Sequence, residues 1–133
     1  NLLFNVGPMP DGRIEQRQID RLKEMGDWLQ IHGDAVYGTR GGPYLPTDHM
    51  VSTRKDNKIY LHLFERPEAT LTLPFPKNIK IKKAYFLKNG VPLQIARDKS
   101  SITINLPEIM PDDEASVIVL DLNRSALDID LIP

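Results

Sequence analysis

The spacing of apolar and polar positions changes partway along the chain. Leu2 to Val6 is apolar on both faces apart from Asn5, the pattern of a strand buried in a parallel sheet. Gly7-Pro8 ends it, and Pro10-Asp11-Gly12 adds a second breaker cluster. From about Glu15 the period becomes helical. Ile19, Leu22, Met25, Gly26 and Leu29 share one face, while Arg17, Asp20, Arg21, Lys23, Glu24 and Asp27 form the solvated remainder. This predicts a helix of about 17 residues, ending at Gly33, where a helix C-terminus favours a left-handed residue. Strand, loop and helix make half of a repeating βα unit, which alone cannot cover both faces of its strand.

Gly38 to Asp48 carries Gly38, Gly41, Gly42, Pro43 and Pro46 and reads as a linker or a fitted connection. Beyond it the period falls to two. Val51 to Lys55 and Lys58 to Glu65 flank Asp56-Asn57, a two-residue hairpin signal. Ala69, Leu71 and Leu73 alternate with Thr70 and Thr72, and Pro74 and Pro76 close that strand. Ile79 to Lys88 and Val91 to Arg97 flank Asn89-Gly90, a strong hairpin signal. Ile102, Ile104 and Leu106 alternate with polar neighbours, and Val117 to Leu120 is apolar on both faces, as a central strand should be. About seven strands over residues 51–133 predict an antiparallel β-sandwich. The tail from Leu127 to Pro133 reads as an edge strand or as disordered chain. The fold class expected is therefore mainly β, an antiparallel sandwich preceded by one strand–helix unit.

In Ile59 to Phe64, Ile59, Leu61 and Leu63 point one way and Tyr60, His62 and Phe64 the other. One face fills a sandwich core. The other is expected to pack on something outside it, such as a helix or a neighbouring domain.

Composition narrows the function classes. Lys plus Arg number 17 and Asp plus Glu 18, a net charge of −1, so no generic basic clamp for nucleic acid is present. No apolar run approaches the roughly 20 residues of a membrane span. Cysteine is absent, which removes disulfides, thiolate nucleophiles and Cys-ligated zinc. The chain opens on Asn1 rather than Met and is expected to be a piece of something longer.

Candidate chemistry is sparse. Glycoside hydrolysis needs two carboxylates flanking one bond. Asp11 and Glu15 follow the first strand, but Asp11-Gly12 reads as a turn and Glu15 as a favourable first-turn helix charge. Asp112, Asp113 and Glu114 read as a solvated turn. His32, His49 and His62 lack the spacing of a zinc site, so no metal and no cofactor is expected. His32 suits a helix C-terminus, and His62 reads as a packed strand residue at a domain junction. Lys77, Lys80, Lys82 and Lys83 read as a protected edge strand. Among aromatic side chains, Trp28 is expected to pack, and Tyr44, in the Gly/Pro-rich segment, is the best exposed position for sugar stacking.

The run Asn1-Leu2-Leu3-Phe4-Asn5-Val6-Gly7-Pro8-Met9-Pro10-Asp11-Gly12 resembles the segment near the end of the catalytic domain in α-L-fucosidases of glycoside hydrolase family 29. The resemblance continues through Gln18-Ile19-Asp20-Arg21-Leu22-Lys23-Glu24-Met25-Gly26-Asp27-Trp28-Leu29 and reaches Gly33-Asp34-Ala35-Val36-Tyr37-Gly38-Thr39-Arg40. It implies a (β/α)8-like barrel followed by a sandwich: residues 1–38 as the last barrel βα unit, 39–50 as a connection and 51–133 as the C-terminal β-sandwich. The activity it implies is retaining hydrolysis of terminal α-L-fucose by two carboxylates that lie outside this chain. No catalytic residue carries over, and the chain alone is expected to be inactive. Asn5 and Gly7 would line the substrate face. The partners implied are the remainder of the barrel and, through the whole enzyme, a fucosylated glycan, with no nucleic acid and no membrane. The compartment implied is periplasmic, extracellular or lysosomal. Two other readings stand beside it: an accessory carbohydrate-binding sandwich, and an interaction domain without a ligand.

Overall fold

The computed structural model describes residues 3–132. Leu2, the first residue of the expected first strand, and Pro133, the last of the expected tail, lie outside the described residues. The elements run α1 (Gln16–His32), a 3-10 turn (Gly33–Ala35), β1 (Arg40–Gly41), β2 (Met50–Lys55), β3 (Lys58–Leu63), β4 (Thr70–Pro74), β5 (Ile81–Phe86), β6 (Ile95–Arg97), β7 (Ser101–Asn105) and β8 (Ser116–Leu122). One sheet has the order β1-β2-β3-β8-β5 and the other β4-β7-β6, and the pairings within both are antiparallel.

The core lies between the sheets. Ile59, Leu61 and Leu63 of β3, Ile118, Leu120 and Leu122 of β8, and Ala84 and Phe86 of β5 meet Leu73, Ile102 and Ile104 of the smaller sheet. β8 sits between β3 and β5 and is buried on both faces, which accounts for its unbroken apolar run. The Asp56-Asn57 hairpin forms as the pattern requires. Lys55 faces Lys58, and Asp56 takes a left-handed φ of 51°, which Asp tolerates better than most residues.

The second face of β3 is covered by the chain itself. Tyr60 packs with Val117 and Val119 of β8 and with Ala35, beneath Trp28 of α1. The outer neighbour expected for this face is therefore the helix.

Four expectations are corrected. Residues 3–6 carry no strand pairing; Leu3 is 85% and Phe4 50% exposed. A parallel strand needs neighbours on both edges for its backbone groups, and the described residues supply none. Gly33 is not left-handed: its φ of −55° continues into the 3-10 turn, and Gly38, at φ +71°, takes the positive value instead. The Asn89-Gly90 hairpin closes only at its tip. Phe86 N–H donates to Val91 O and Leu93 N–H to Ala84 O, after which β6 leaves to pair with β7 in the other sheet. The expected connection also contributes structure, because β1 pairs with β2 and Tyr44 enters the core. β5 is an edge strand with a bulge at Lys82, a feature that discourages edge-to-edge pairing.

Candidate functional site

The residues expected to line substrate lie near the N-terminus. Asn5 and Gly7 are exposed, and Gly7 N–H donates to Gln18 Oε1 at 3.0 Å, tying this segment to the start of α1. A short turn follows, with Pro8 bridged to Ile14. Asp11 accepts from Arg13 Nε at 2.7 Å and from Arg13 N–H at 3.1 Å. The hydrogen bond from the Arg13 side chain, then that from its backbone, holds the Asp11 carboxyl below the usual carboxylate value. Glu15 accepts from Arg17 at 2.8 Å. Each carboxylate is thus engaged by an arginine two residues on.

Tyr44 is not an exposed platform. It is 5% exposed, its hydroxyl donates to Pro74 O at 2.9 Å, and burial raises its pKa well above the ordinary phenol value. The Gly/Pro-rich segment folds inward because Gly42 N–H donates to Ser52 O and Ile132 N–H to Pro43 O, so the ring is drawn between the sheets. Tyr60, Phe75 and Phe86 are buried as well, Tyr85 is half-buried, and Phe64 is exposed.

Polar side chains converge at the joint between α1 and the larger sheet. Trp28 and His32, one helical turn apart, stack with ring centroids 4.5 Å apart and an interplanar angle of 19°. Trp28 Nε1–H donates to Ala115 O at 3.1 Å. His32 is fully buried; its Nδ1–H donates to Trp28 O at 3.1 Å, and its Nε2 lies 3.3 Å from Asp112 Oδ2. Lys88 Nζ reaches Asp112 Oδ1 at 3.0 Å and donates to Pro111 O at 2.6 Å. On β2, Thr53 Oγ1–H donates to Ala35 O at 2.6 Å, so His62 Nε2–H is the donor to Thr53 Oγ1 at 3.0 Å. Burial first, and the neighbouring His32 second, push the His62 pKa below the ordinary imidazole value.

The acidic turn is thus corrected at one position. Asp113 and Glu114 are solvated, whereas the Asp112 side chain is only 9% exposed and turned toward His32. Tyr60 stays a phenol, its pKa pushed up to about 12 by burial and then by Asp34, Tyr85 and Asp56. Among the described residues, no three His, Asp or Glu side chains cluster as metal ligands. The joint binds one part of the chain to another. Sequence reasoning placed Trp28 and His62 in packing roles but missed Asp112, Lys88 and Thr53. The one available signal was the four-residue Trp28–His32 spacing opposite the second apolar face of β3.

A family model described as α-L-fucosidase matches residues 1–34. The α-L-fucosidase of Branchiostoma floridae is 36% identical over 114 residues, covering 80% of this chain and 25% of that protein. The structure of α-L-fucosidase isoenzyme 1 from Paenibacillus thiaminolyticus is similar at TM-score 0.82 and 31% identity, over 92% of this chain and 31% of that one. A glycoside hydrolase family 29 α-L-fucosidase from Bacteroides thetaiotaomicron, solved as a trapped covalent intermediate, gives TM-score 0.78 at 26% identity, over 90% of this chain and 28% of that one. The chain spans about a quarter of the length of the curated relatives it matches.

Proposed function

We propose that this chain is the C-terminal portion of a retaining α-L-fucosidase, supplying the last βα unit of the catalytic barrel and the sandwich that buttresses it. One observation carries the reading. Within the segment that matches the fucosidase family, residues 3–34 bury no apolar side chain, whereas the buried apolar core of the chain begins at Ala35. Leu3, Phe4, Ile14, Leu22 and Ile31 are all exposed, and the α1 stripe of Ile19, Met25 and Leu29 is half-buried. An exposed apolar face of this extent marks an interaction surface, and the barrel remainder is the partner that fits it.

In this reading residues 3–6 become a strand when neighbouring barrel strands satisfy their backbone groups, and Asn5 and Gly7 rim the catalytic face, where barrel enzymes place substrate contacts. α1 then runs about 25 Å away from that rim. The sandwich meets α1 near its far end, through Trp28 and His32. Its role is accordingly to cover apolar surface and fix the last helix, while the nucleophile and the acid/base carboxylate reside in the rest of the barrel. A covalent glycosyl intermediate on a carboxylate is the chemistry of a retaining enzyme, and the trapped intermediate of the Bacteroides relative supports assigning it to the whole protein.

The test compares hydrolysis of an aryl α-L-fucoside by the 133-residue chain and by the product of the longer reading frame that contains it. Turnover by the longer product alone is expected. Turnover by the purified 133-residue chain, or none by the longer product, overturns the proposal.

A further inference from the structure

The turn after β4 and the C-terminal tail enclose a bowl of about 410 Å3, a volume within the roughly 300 to 1,000 Å3 of small-molecule sites. Asn78 of the turn and Arg124, Asp128 and Asp130 of the tail line it. Among the described residues none of these four side chains has an intramolecular hydrogen bond or ion pair. A guanidinium and two carboxylates thus border one cavity, with the guanidinium beyond ion-pair reach of both. Pro76 and Leu131 add apolar lining, and Leu131 is 66% exposed.

The walls are fixed from behind. Arg97 donates to Pro76 O at 2.7 Å and to Ile79 O, on either side of Asn78, and its guanidinium lies 5.2 Å from the Phe75 ring centroid. Arg54 Nη1–H donates to Ile129 O at 2.5 Å and to Ala126 O at 3.1 Å, and Asp128 and Asp130 flank Ile129. Ile132 N–H donates to Pro43 O at 2.6 Å and anchors the end of the tail. The polar groups are therefore positioned before any ligand arrives, which lowers the ordering cost of binding.

We propose that this bowl binds a neutral sugar ring. A hydroxyl both donates and accepts, so it donates to Asp128 or Asp130 and accepts from Arg124 or the Asn78 amide. Such a ligand joins charges that the chain holds apart. Pro76 and Leu131 meet the C–H face of the ring. Two carboxylates against one guanidinium leave the bowl net negative, which disfavours phosphate, sulfate and carboxylate ligands. The inference concerns this chain alone and does not rest on the fucosidase reading.

The test is an NMR titration of the labelled 133-residue chain with the methyl glycosides of L-fucose, D-galactose and D-glucose. Glycerol, inorganic phosphate and ethanolamine serve as separate probes of a flexible polyol, an anion and a cation. At least one glycoside should give saturable shifts clustered at the amides of Asn78, Ser100 and Leu131, and glycerol should give none. The affinity should fall about tenfold in Arg124→Gln and in Asp130→Asn, the loss expected for one hydrogen bond to a charged group. No shift at these amides with any glycoside overturns the proposal. So do equal shifts with glycerol, tighter binding of phosphate or ethanolamine, or an affinity unchanged in both variants. Should a variant fail to fold, the wild-type titrations still decide, because a site that does not prefer a glycoside to the other three probes is not a sugar site.

Discussion

The Trp28 indole donates to the Ala115 carbonyl across 87 residues of sequence, at 3.1 Å, and so ties the helix to the loop that enters β8. A small apolar patch adds to this joint: Ala35, Tyr60, Val117 and Val119, with Trp28, Tyr85 and Leu87 at its margin. Trp28→Phe keeps a ring against His32 and removes the donor, which should destabilise the chain by about 1 kcal/mol. Trp28→Ala also removes the ring and should cost about 3 kcal/mol. Urea denaturation followed by circular dichroism separates the two. Equal midpoints for Trp28→Ala and wild type would show that the helix does not depend on this contact.

The reach of sequence pattern can be judged residue by residue. The helix was legible because its stripe is regular, and Gln16–His32 forms with half its apolar face unoccupied. Local turn chemistry was legible at Asp56-Asn57, where two residues set the register of β2 on β3. β8 was legible because a strand covered on both faces needs no alternation. The strand expected at Leu2 to Val6 shows where pattern stops. An apolar run records what a segment is suited to pack against, and among the described residues nothing pairs with residues 3–6. Tyr44 shows a second limit. Glycine and proline spacing marked a loop, but the direction of its aromatic ring depends on Ser52 and on Pro74 and Ile132, the last two distant in sequence. Asp112 shows a third. In sequence it is one of three adjacent acids, and only the placement of His32 singles it out.

Tyr44 offers a direct check on its reassignment from surface to core. Its hydroxyl has one acceptor, Pro74 O, and Tyr44→Phe should lose about 1 kcal/mol. Tyr44→Ala empties a core position and should lose about 3 to 5 kcal/mol. Neither substitution should alter NMR shifts on titration with fucose, because the ring presents no face to solvent. A fucose-dependent shift at Tyr44 that Tyr44→Phe abolishes would restore the stacking role.

His62 sets an acid limb of stability. Its folded pKa is depressed by burial and then by His32, with the Ala35 carbonyl partly offsetting both. Above the unfolded value of about 6.5 the ring is neutral in both states and its packing is fully available. As pH falls below that value the unfolded chain takes up a proton that the native ring refuses, and stability is lost until pH passes the lower folded value. His62→Gln should therefore flatten this loss in urea midpoints measured from neutral to mildly acid pH. A variant that loses stability on acidification as steeply as wild type would rule out His62 as the source.

Two glycines should respond in opposite directions to the same added methyl group. A Cβ at Gly42 would lie 2.1 Å from Ser52 Oγ and 2.6 Å from the Ser52 backbone carbonyl carbon, so β2 itself would have to move. Gly42 N–H also donates to Ser52 O at 2.8 Å, which fixes the approach. Gly42→Ala should destabilise the chain by about 2 kcal/mol or more. A Cβ at Gly26 meets nothing within 4 Å, and the residue sits inside α1, where glycine costs the helix roughly 1 kcal/mol relative to alanine. Gly26→Ala should raise the melting temperature of the 133-residue chain. Gly26 shares the helix face of Leu22, Met25 and Leu29, which in the proposed longer enzyme is covered by the barrel. There the added methyl meets packed neighbours, and the gain seen in the isolated chain should disappear. An equal gain in both proteins would mean that this face of α1 stays open in the whole enzyme, contrary to the docking proposed for it.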